Sequence, residues 1–131
     1  MNNVETIEEL YASFAKGDVP AVLGAMDAHI RWTEAEGFIY GGEYTGPDAI
    51  LQNVFMKFAT EWEGFTVAPE RFIDGGDDIV VLGKYSGKFL ATGRSMTAPF
   101  AHFWTIGGDD KVIRFVQYTD TAVIERELGL K

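Results

Sequence analysis

The sequence predicts an α+β fold in which helices gather on one face of a curved, mostly antiparallel sheet. Apolar residues recur at helical spacing in the first half of the chain, but after Trp62 they alternate as in strands. Gly-Gly-Asp-Asp runs at 75–78 and 107–110 are typical of hairpin turns between such strands. At this length we expect one domain over residues 1–131, with its ligand site between the helices and the sheet.

Two helices are predicted at the start of the chain. The first covers about residues 4–16, with Asn3 as its N-cap and Gly17 as its stop. A second helix follows Asp18, which is suited to cap it, and is expected to end near His29.

A short strand at 30–33 and a third helix come next. Residues 41–46 have the composition of a loop, and Pro47 is suited to the first helical position. The apolar stripe of this third helix is Ile50, Leu51, Val54, Phe55 and Phe58.

The rest of the chain predicts a meander of four strands and a closing helix. The strands are expected at 65–73, 79–91, 94–106 and 111–119, and the helix at about 121–128.

Charge and composition narrow the possible functions. A formal net charge of −9 disfavours nucleic acid and anionic membranes as partners. The sequence has no cysteine, which excludes thiolate chemistry and fits a reducing compartment. Residues 1–10 resemble neither a signal peptide nor a membrane span, so we expect a cytoplasmic protein. His29 and His102 lack metal-ligand spacing, so no metal site is expected.

His102 and Asp120 are the first candidates for a functional site. His102 falls in the apolar row of the 94–106 strand, and Asp120 follows the last strand. Two plainer interpretations remain open: His102 as a hydrogen-bonded core residue, and Asp120 as the N-cap of the last helix. Glu34 and Glu36 lie beside a glycine loop, where a solvated rim is expected more than a catalytic base.

Over nearly its whole length the chain resembles the nuclear transport factor 2-like superfamily, and within it the SnoaL-like and ketosteroid isomerase-related proteins. The resemblance is carried by the order and spacing of YASFAKGDVPAVLGAMDAHIRWTEAEG, YTGPDAI and GDDKVIRFVQYTDTA. It implies a cone-shaped, cystatin-like α+β barrel with a deep hydrophobic pocket. It also implies a homodimer packed through the sheet, and no metal or organic cofactor.

The resemblance also implies roles for particular residues. Glu34 falls where ketosteroid isomerases carry their aspartate base, and His102 falls where they carry a protonated aspartic acid. Asp120 is similar to the acid/base aspartate of SnoaL-like cyclases. The isomerase tyrosine of the first helix falls at Leu10, so Tyr11 is expected to point about 100° away.

A base and a charge stabiliser in an apolar pocket suit proton abstraction next to a carbonyl. We therefore expect an isomerase, cyclase or lyase-like acid–base enzyme with Asp120, His102 and Glu34 as catalytic candidates, acting on an apolar small molecule. The alternative is a pocket or sheet that binds a ligand or partner without turnover. The expected pocket walls are Trp32, Tyr40, Phe55, Phe58, Tyr85, Trp104 and Tyr118.

Overall fold

A computed structural model describes residues 1–130, and position 131 of the expected domain lies outside the described residues. These residues form the predicted α+β fold, with one curved sheet of six strands. Numbered in chain order, the strands are β1 (Met26–Glu34), β2 (Gly42–Thr45), β3 (Trp62–Gly75), β4 (Asp78–Phe89), β5 (Arg94–Ile106) and β6 (Val112–Thr119). They lie side by side in the order β2-β1-β6-β5-β4-β3. Neighbouring strands are antiparallel except β1 and β6, which run parallel. Since β2 and β3 are edges within the described chain, the sheet is unclosed, unlike the barrel that the resemblance implies.

The first helix, α1, spans Asn3–Ala15, close to its predicted bounds. Its cap is Asn2 rather than Asn3. The Asn2 side chain accepts a hydrogen bond from the Glu5 amide (2.8 Å), and the Glu5 carboxylate accepts one from the Asn2 amide (3.1 Å). This reciprocal pair satisfies two amides that the helix leaves free, which favours the earlier start.

The second helix, α2, spans Val19–Gly24 behind its predicted cap Asp18. The expected end near His29 is wrong, because strand β1 already begins at Met26 and covers Met26–Glu34. Met26 pairs with Val112 of the last strand, and the Val112 amide donates to the Ala25 carbonyl at 2.9 Å. Pairing within the sheet therefore outweighs helical propensity here.

A second strand, β2, spans Gly42–Thr45 in the stretch predicted as loop. It pairs antiparallel with β1 at the edge of the sheet, where Arg31 faces Thr45. Its side chains are mostly exposed, so it lacks the apolar alternation that identifies a buried strand.

The third predicted helix begins at Pro47 as expected, but it is divided. Helix α3 (Pro47–Ile50) leads into a π-helical turn at Leu51–Phe55, and helix α4 (Met56–Glu61) follows. Val54 and Phe55 of the π-helical turn are buried. Such turns are frequent at functional sites.

The remaining elements are longer than predicted or match closely. Strands β3 (Trp62–Gly75) and β4 (Asp78–Phe89) form a hairpin. Strand β5 has the predicted bounds, Arg94–Ile106, and its inward row is buried as expected. Strand β6 (Val112–Thr119) and helix α5 (Thr121–Leu128) complete the fold. No helix among residues 1–130 combines the length and apolarity needed to cross a membrane.

Candidate functional site

A small cavity of about 40 Å³ lies between the helices and the concave face of the sheet. Helices α1 and α2, the π-helical turn, α4 and five of the strands supply its lining, which is dominated by aromatic and aliphatic side chains. The lining residues are Leu10, Tyr11, Phe14, Val22, Trp32, Glu34, Val54, Phe55, Phe58, Val67, Tyr85, His102, Trp104 and Phe115.

His102 occupies the centre of a buried hydrogen-bonded chain. Its Nδ1 lies 2.5 Å from the hydroxyl oxygen of Tyr11, and its Nε2 lies 2.5 Å from that of Tyr85. The His102 side chain is only 5% exposed, and burial lowers its pKa well below 6.5. The imidazole is therefore neutral near pH 7.

The two ends of this chain are fixed by groups that can only donate there. The Trp104 indole N–H donates to the Tyr11 hydroxyl at 3.0 Å. The Gln117 carbonyl oxygen accepts from the Ala35 amide at 2.9 Å, which leaves its NH₂ group to donate to the Tyr85 hydroxyl at 2.9 Å. Each tyrosine oxygen thus already accepts one hydrogen bond.

One tyrosine hydroxyl hydrogen of this chain is uncommitted, which means that it is not donated to any of the other side chains in the chain. A neutral imidazole has one N–H donor and one acceptor nitrogen. One tyrosine donates its O–H to His102, while the other accepts the His102 N–H and keeps its own hydroxyl hydrogen. Tyr11 and Tyr85 both line the cavity, so the hydroxyl group that keeps this hydrogen belongs to a residue of the cavity wall.

Burial keeps both tyrosines protonated. It raises the pKa of Tyr11 and that of Tyr85 above the usual 10, and the nearby Glu34 charge raises the pKa of Tyr85 further. Both groups therefore act as hydrogen-bond donors at neutral pH rather than as anions.

Glu34 is buried in the same cavity, so the expectation of a solvated rim is wrong for it. Its side chain is 3% exposed, whereas Glu36 is exposed. The Trp32 indole N–H donates to its carboxylate at 3.2 Å. Loss of hydration raises the pKa of Glu34 to about 8, and the bond from Trp32 opposes this rise. A carboxyl group with such a pKa can exchange protons near neutral pH.

Asp120 does not join His102. It is exposed, lies outside the residues that line the cavity, and accepts a hydrogen bond from the Val123 amide at 3.1 Å as the N-cap of α5. The expected arrangement of His102 and Asp120 in one hollow is therefore wrong. A residue that ends an inward-facing strand is also well placed to cap the next helix, and capping is its observed contact.

Tyr11 is the residue that the sequence interpretation missed. It was expected to point away because Leu10 falls at the isomerase tyrosine position, yet both residues line the cavity. The buried stripe of α1 includes Ile7, Leu10 and Tyr11, and is wide enough for two adjacent residues to face inward. The sequence carried this signal, since Tyr11 follows Ile7 by four positions.

Five of the seven residues predicted to form the pocket walls line the cavity. They are Trp32, Phe55, Phe58, Tyr85 and Trp104. Tyr40 and Tyr118 are not among the lining residues.

Tyr40 is buried beside helix α4, where its hydroxyl donates to Glu61 at 2.5 Å and accepts from the Trp62 indole at 2.9 Å. Tyr118 is 60% exposed. The exposed side of β6 therefore carries Tyr118 away from the cavity.

Two general features complete the site. Every fully buried side-chain nitrogen or oxygen of residues 1–130 has a hydrogen-bond partner. Within the same residues, no group of three or more His, Cys, Asp or Glu side chains is arranged to hold a metal ion.

The curved sheet, the helices that cover it and the buried chain of hydrogen-bonded side chains define the class of fold. Comparison with known families then identifies the family. Residues 7–115 match the SnoaL-like domain family. The chain belongs to this family, which confirms the resemblance inferred from the sequence. No curated protein matches the chain significantly.

Solved structures share the whole architecture. An NTF2-like protein from Burkholderia thailandensis E264 is 31% identical, with 98% of each chain covered and a TM-score of 0.93. An NTF2-like protein of unknown function from Burkholderia pseudomallei K96243 is 32% identical, with 98% of each chain covered and a TM-score of 0.87. TerC, co-crystallised with polyporic acid, is 30% identical over 97% of this chain and 98% of its own, with a TM-score of 0.85.

Proposed function

We propose that this protein is an acid–base catalyst that moves a proton next to a carbonyl group of an apolar small molecule. The observation that carries the proposal is that Glu34, a buried carboxyl with a pKa near 8, shares one cavity with the Tyr11–His102–Tyr85 chain. A base and a hydrogen-bond donor in one dry site are the two groups that enolisation requires.

In the proposed reaction, the ionised form of Glu34 removes a proton from the carbon beside the carbonyl. The electron pair of that C–H bond moves to the carbonyl oxygen, which becomes an enolate. The uncommitted hydroxyl hydrogen of Tyr11 or Tyr85 donates to this oxygen and stabilises its charge. Return of the proton from Glu34 to another position isomerises the substrate, and attack of the enolate carbon on a second carbonyl closes a ring.

His102 has a positioning role in this scheme. It orients both tyrosine hydroxyls, and the two neutral tautomers of its ring differ in which tyrosine keeps the uncommitted hydrogen. Because the imidazole stays neutral, it adds no charge that would lower the pKa of Glu34.

One solved relative supports an organic ligand. TerC, which is 30% identical, was co-crystallised with polyporic acid. By analogy, we propose that the ligand of this chain carries an oxygen that accepts a hydrogen bond from Tyr11 or Tyr85.

Deuterium exchange tests the proposal without knowledge of the natural substrate. The probe is 2-tetralone in D₂O, and deuterium incorporation beside its carbonyl is followed by NMR. We expect the protein to accelerate exchange and Glu34→Gln to slow it by about 10²- to 10⁴-fold, the usual contribution of a positioned base. Glu36→Gln, the matched control in an exposed position, should exchange like the unmodified protein. Equal rates for Glu34→Gln and the unmodified protein would exclude Glu34 as the base.

The second candidate is a binding protein without turnover. This alternative is favoured because every fully buried side-chain nitrogen or oxygen of residues 1–130 already has a hydrogen-bond partner, so the chain around His102 is satisfied without a substrate. Binding of 2-tetralone without accelerated exchange would support it.

We also propose that two copies associate through the outer face of the sheet. On that face Phe103 lies opposite Val116 and Ala101 opposite Tyr118, which gives an apolar strip. Sedimentation should then give twice the 14.5 kDa chain mass, and Tyr118→Glu should shift the protein toward a monomer. Met56→Glu, an exposed change on α4, should leave the mass unchanged.

A further inference from the structure

A second pocket of about 340 Å³ opens beside the buried cavity. It is formed by the end of α1, the turn into α2, the π-helical turn, α4 and the first residues of β3. None of its lining side chains is charged, and the one polar side-chain group, the Trp62 indole N–H, already donates to Tyr40, so the remaining polar surface of this pocket comes from backbone atoms. We call this the outer pocket.

Three phenylalanines separate the outer pocket from the cavity and line both of them: Phe14, Phe55 and Phe58. Phe14 meets Phe55 edge to face, with ring centroids 5.4 Å apart. Phe58 stacks on Phe65 of the outer pocket at 4.0 Å. The two spaces are therefore neighbours across a single layer of aromatic rings.

The two spaces can hold ligand groups of different sizes. The cavity of about 40 Å³ accommodates a few atoms beside Glu34 and His102. The outer pocket, at about 340 Å³, is within the range of about 300–1,000 Å³ typical of small-molecule sites. A ligand whose reactive group reaches Glu34 must place most of its other atoms elsewhere, and the adjoining space is open and lined mainly by apolar side chains.

We propose that the outer pocket binds the uncharged apolar tail of a ligand whose carbonyl end occupies the cavity. The inference rests on the proposed function for the position of the carbonyl, and it adds the substrate class: an elongated molecule with one oxygen-bearing end and an aliphatic or aromatic tail. The π-helical turn carries Phe55 at the boundary, where the rings must part for the ligand to pass.

A series of methyl ketones tests binding of the tail in the outer pocket independently of the proposed proton transfer. The probes are 2-pentanone, 2-heptanone and 2-nonanone, and their dissociation constants are measured by ligand-observed NMR. Burial of each added CH₂ should tighten binding about three- to fourfold in the unmodified protein. Ala59→Trp should fill the outer pocket from an exposed helical position and abolish this dependence on tail length. Ala59→Leu, a smaller change, should reduce it.

Met56→Trp is the matched control. Met56 is exposed on the same helix and does not line either space, so this variant should keep the full dependence on tail length. An unchanged dependence in Ala59→Trp, or no ketone binding to the unmodified protein, would overturn the proposed tail site. A failure of the proposed function would give a different result. Ketone binding would still depend on tail length and Ala59→Trp would still remove that dependence, but the protein would not accelerate deuterium exchange of 2-tetralone.

Discussion

The hydroxyl oxygen of Tyr11 lies 2.5 Å from Nδ1 of His102, although 91 positions separate the two residues. This contact joins the first helix to the middle of the sheet at the floor of the cavity. It also makes Tyr11 a shared partner, because the same hydroxyl accepts the Trp104 indole N–H. A single hydroxyl group thus connects α1 and two inward-facing positions of β5.

Removal of the Tyr11 hydroxyl should destabilise the protein. Tyr11→Phe leaves the Trp104 indole N–H without its acceptor and Nδ1 of His102 without its partner. An unsatisfied buried polar group costs about 1–3 kcal/mol, so we expect a loss in the free energy of unfolding of that order. Urea denaturation measures it. Thr45→Val, which removes an exposed hydroxyl group from the edge strand β2, is the control and should change stability by less than about 0.5 kcal/mol. Equal effects of the two variants would contradict the chain of hydrogen bonds.

Glu34 should make the protein less stable as the pH rises. Its pKa is raised from 4.5 to about 8 in the folded state, so between these values the folded protein holds a proton that the unfolded chain has released. Stability therefore falls with rising pH across this window, by an amount on the order of a few kcal/mol. Relative to the unmodified protein, Glu34→Gln should gain stability steadily from pH 5 to pH 8 in urea denaturation. Glu36→Gln should show no such trend.

His102 should act in the opposite direction at lower pH. Its folded pKa lies well below 6.5, so below pH 6.5 the unfolded chain takes up a proton that the folded protein does not. Stability is then lost as the pH falls, and His102→Asn should gain relative stability below pH 6.5. Between pH 4.5 and 6.5 the contributions of His102 and Glu34 oppose each other. A difference between His102→Asn and the unmodified protein that does not vary with pH would contradict the buried neutral imidazole.

Asp120 should prove to be a structural residue. Asp120→Ala removes the acceptor for the Val123 amide and should cost about 1 kcal/mol in the free energy of unfolding. Asp120→Asn keeps a good N-cap and should be nearly as stable as the unmodified protein. Both variants should still accelerate the exchange of 2-tetralone. Loss of exchange in Asp120→Asn with unchanged stability would restore Asp120 as an acid/base candidate.

The α+β architecture was predictable because its signals are local or periodic. The alternation from Met96 to Ile106 and the Gly-Gly-Asp-Asp turns identify the hairpins directly. The exposed edge strand at Gly42–Thr45 was missed because only its pairing with β1 distinguishes it from a loop. The π-helical turn was also missed, since its apolar spacing is the same as that of an ordinary helix.

The candidate site was predictable only in part. His102 was found because an imidazole in an apolar strand row is unusual, whereas the burial of Glu34 depends on how β1 lies under the helices. The position of Asp120 in the chain, directly after a strand with inward-facing residues, does not show where its side chain points. In the structure this side chain caps the following helix. Tyr11 was overlooked because the family's tyrosine position falls at Leu10, although the adjacent Tyr11 supplies the hydroxyl group.

The pKa of the Glu34 carboxyl is the most direct test of the proposed chemistry. Glutamate labelled with ¹³C at the side-chain carboxyl gives one NMR signal per residue, and the Glu34→Gln spectrum assigns the signal of Glu34. We expect this signal to titrate near pH 8, because burial in the cavity disfavours the ionised carboxylate. A midpoint near 4.5, the value of a solvated glutamate, would contradict a buried base in this cavity.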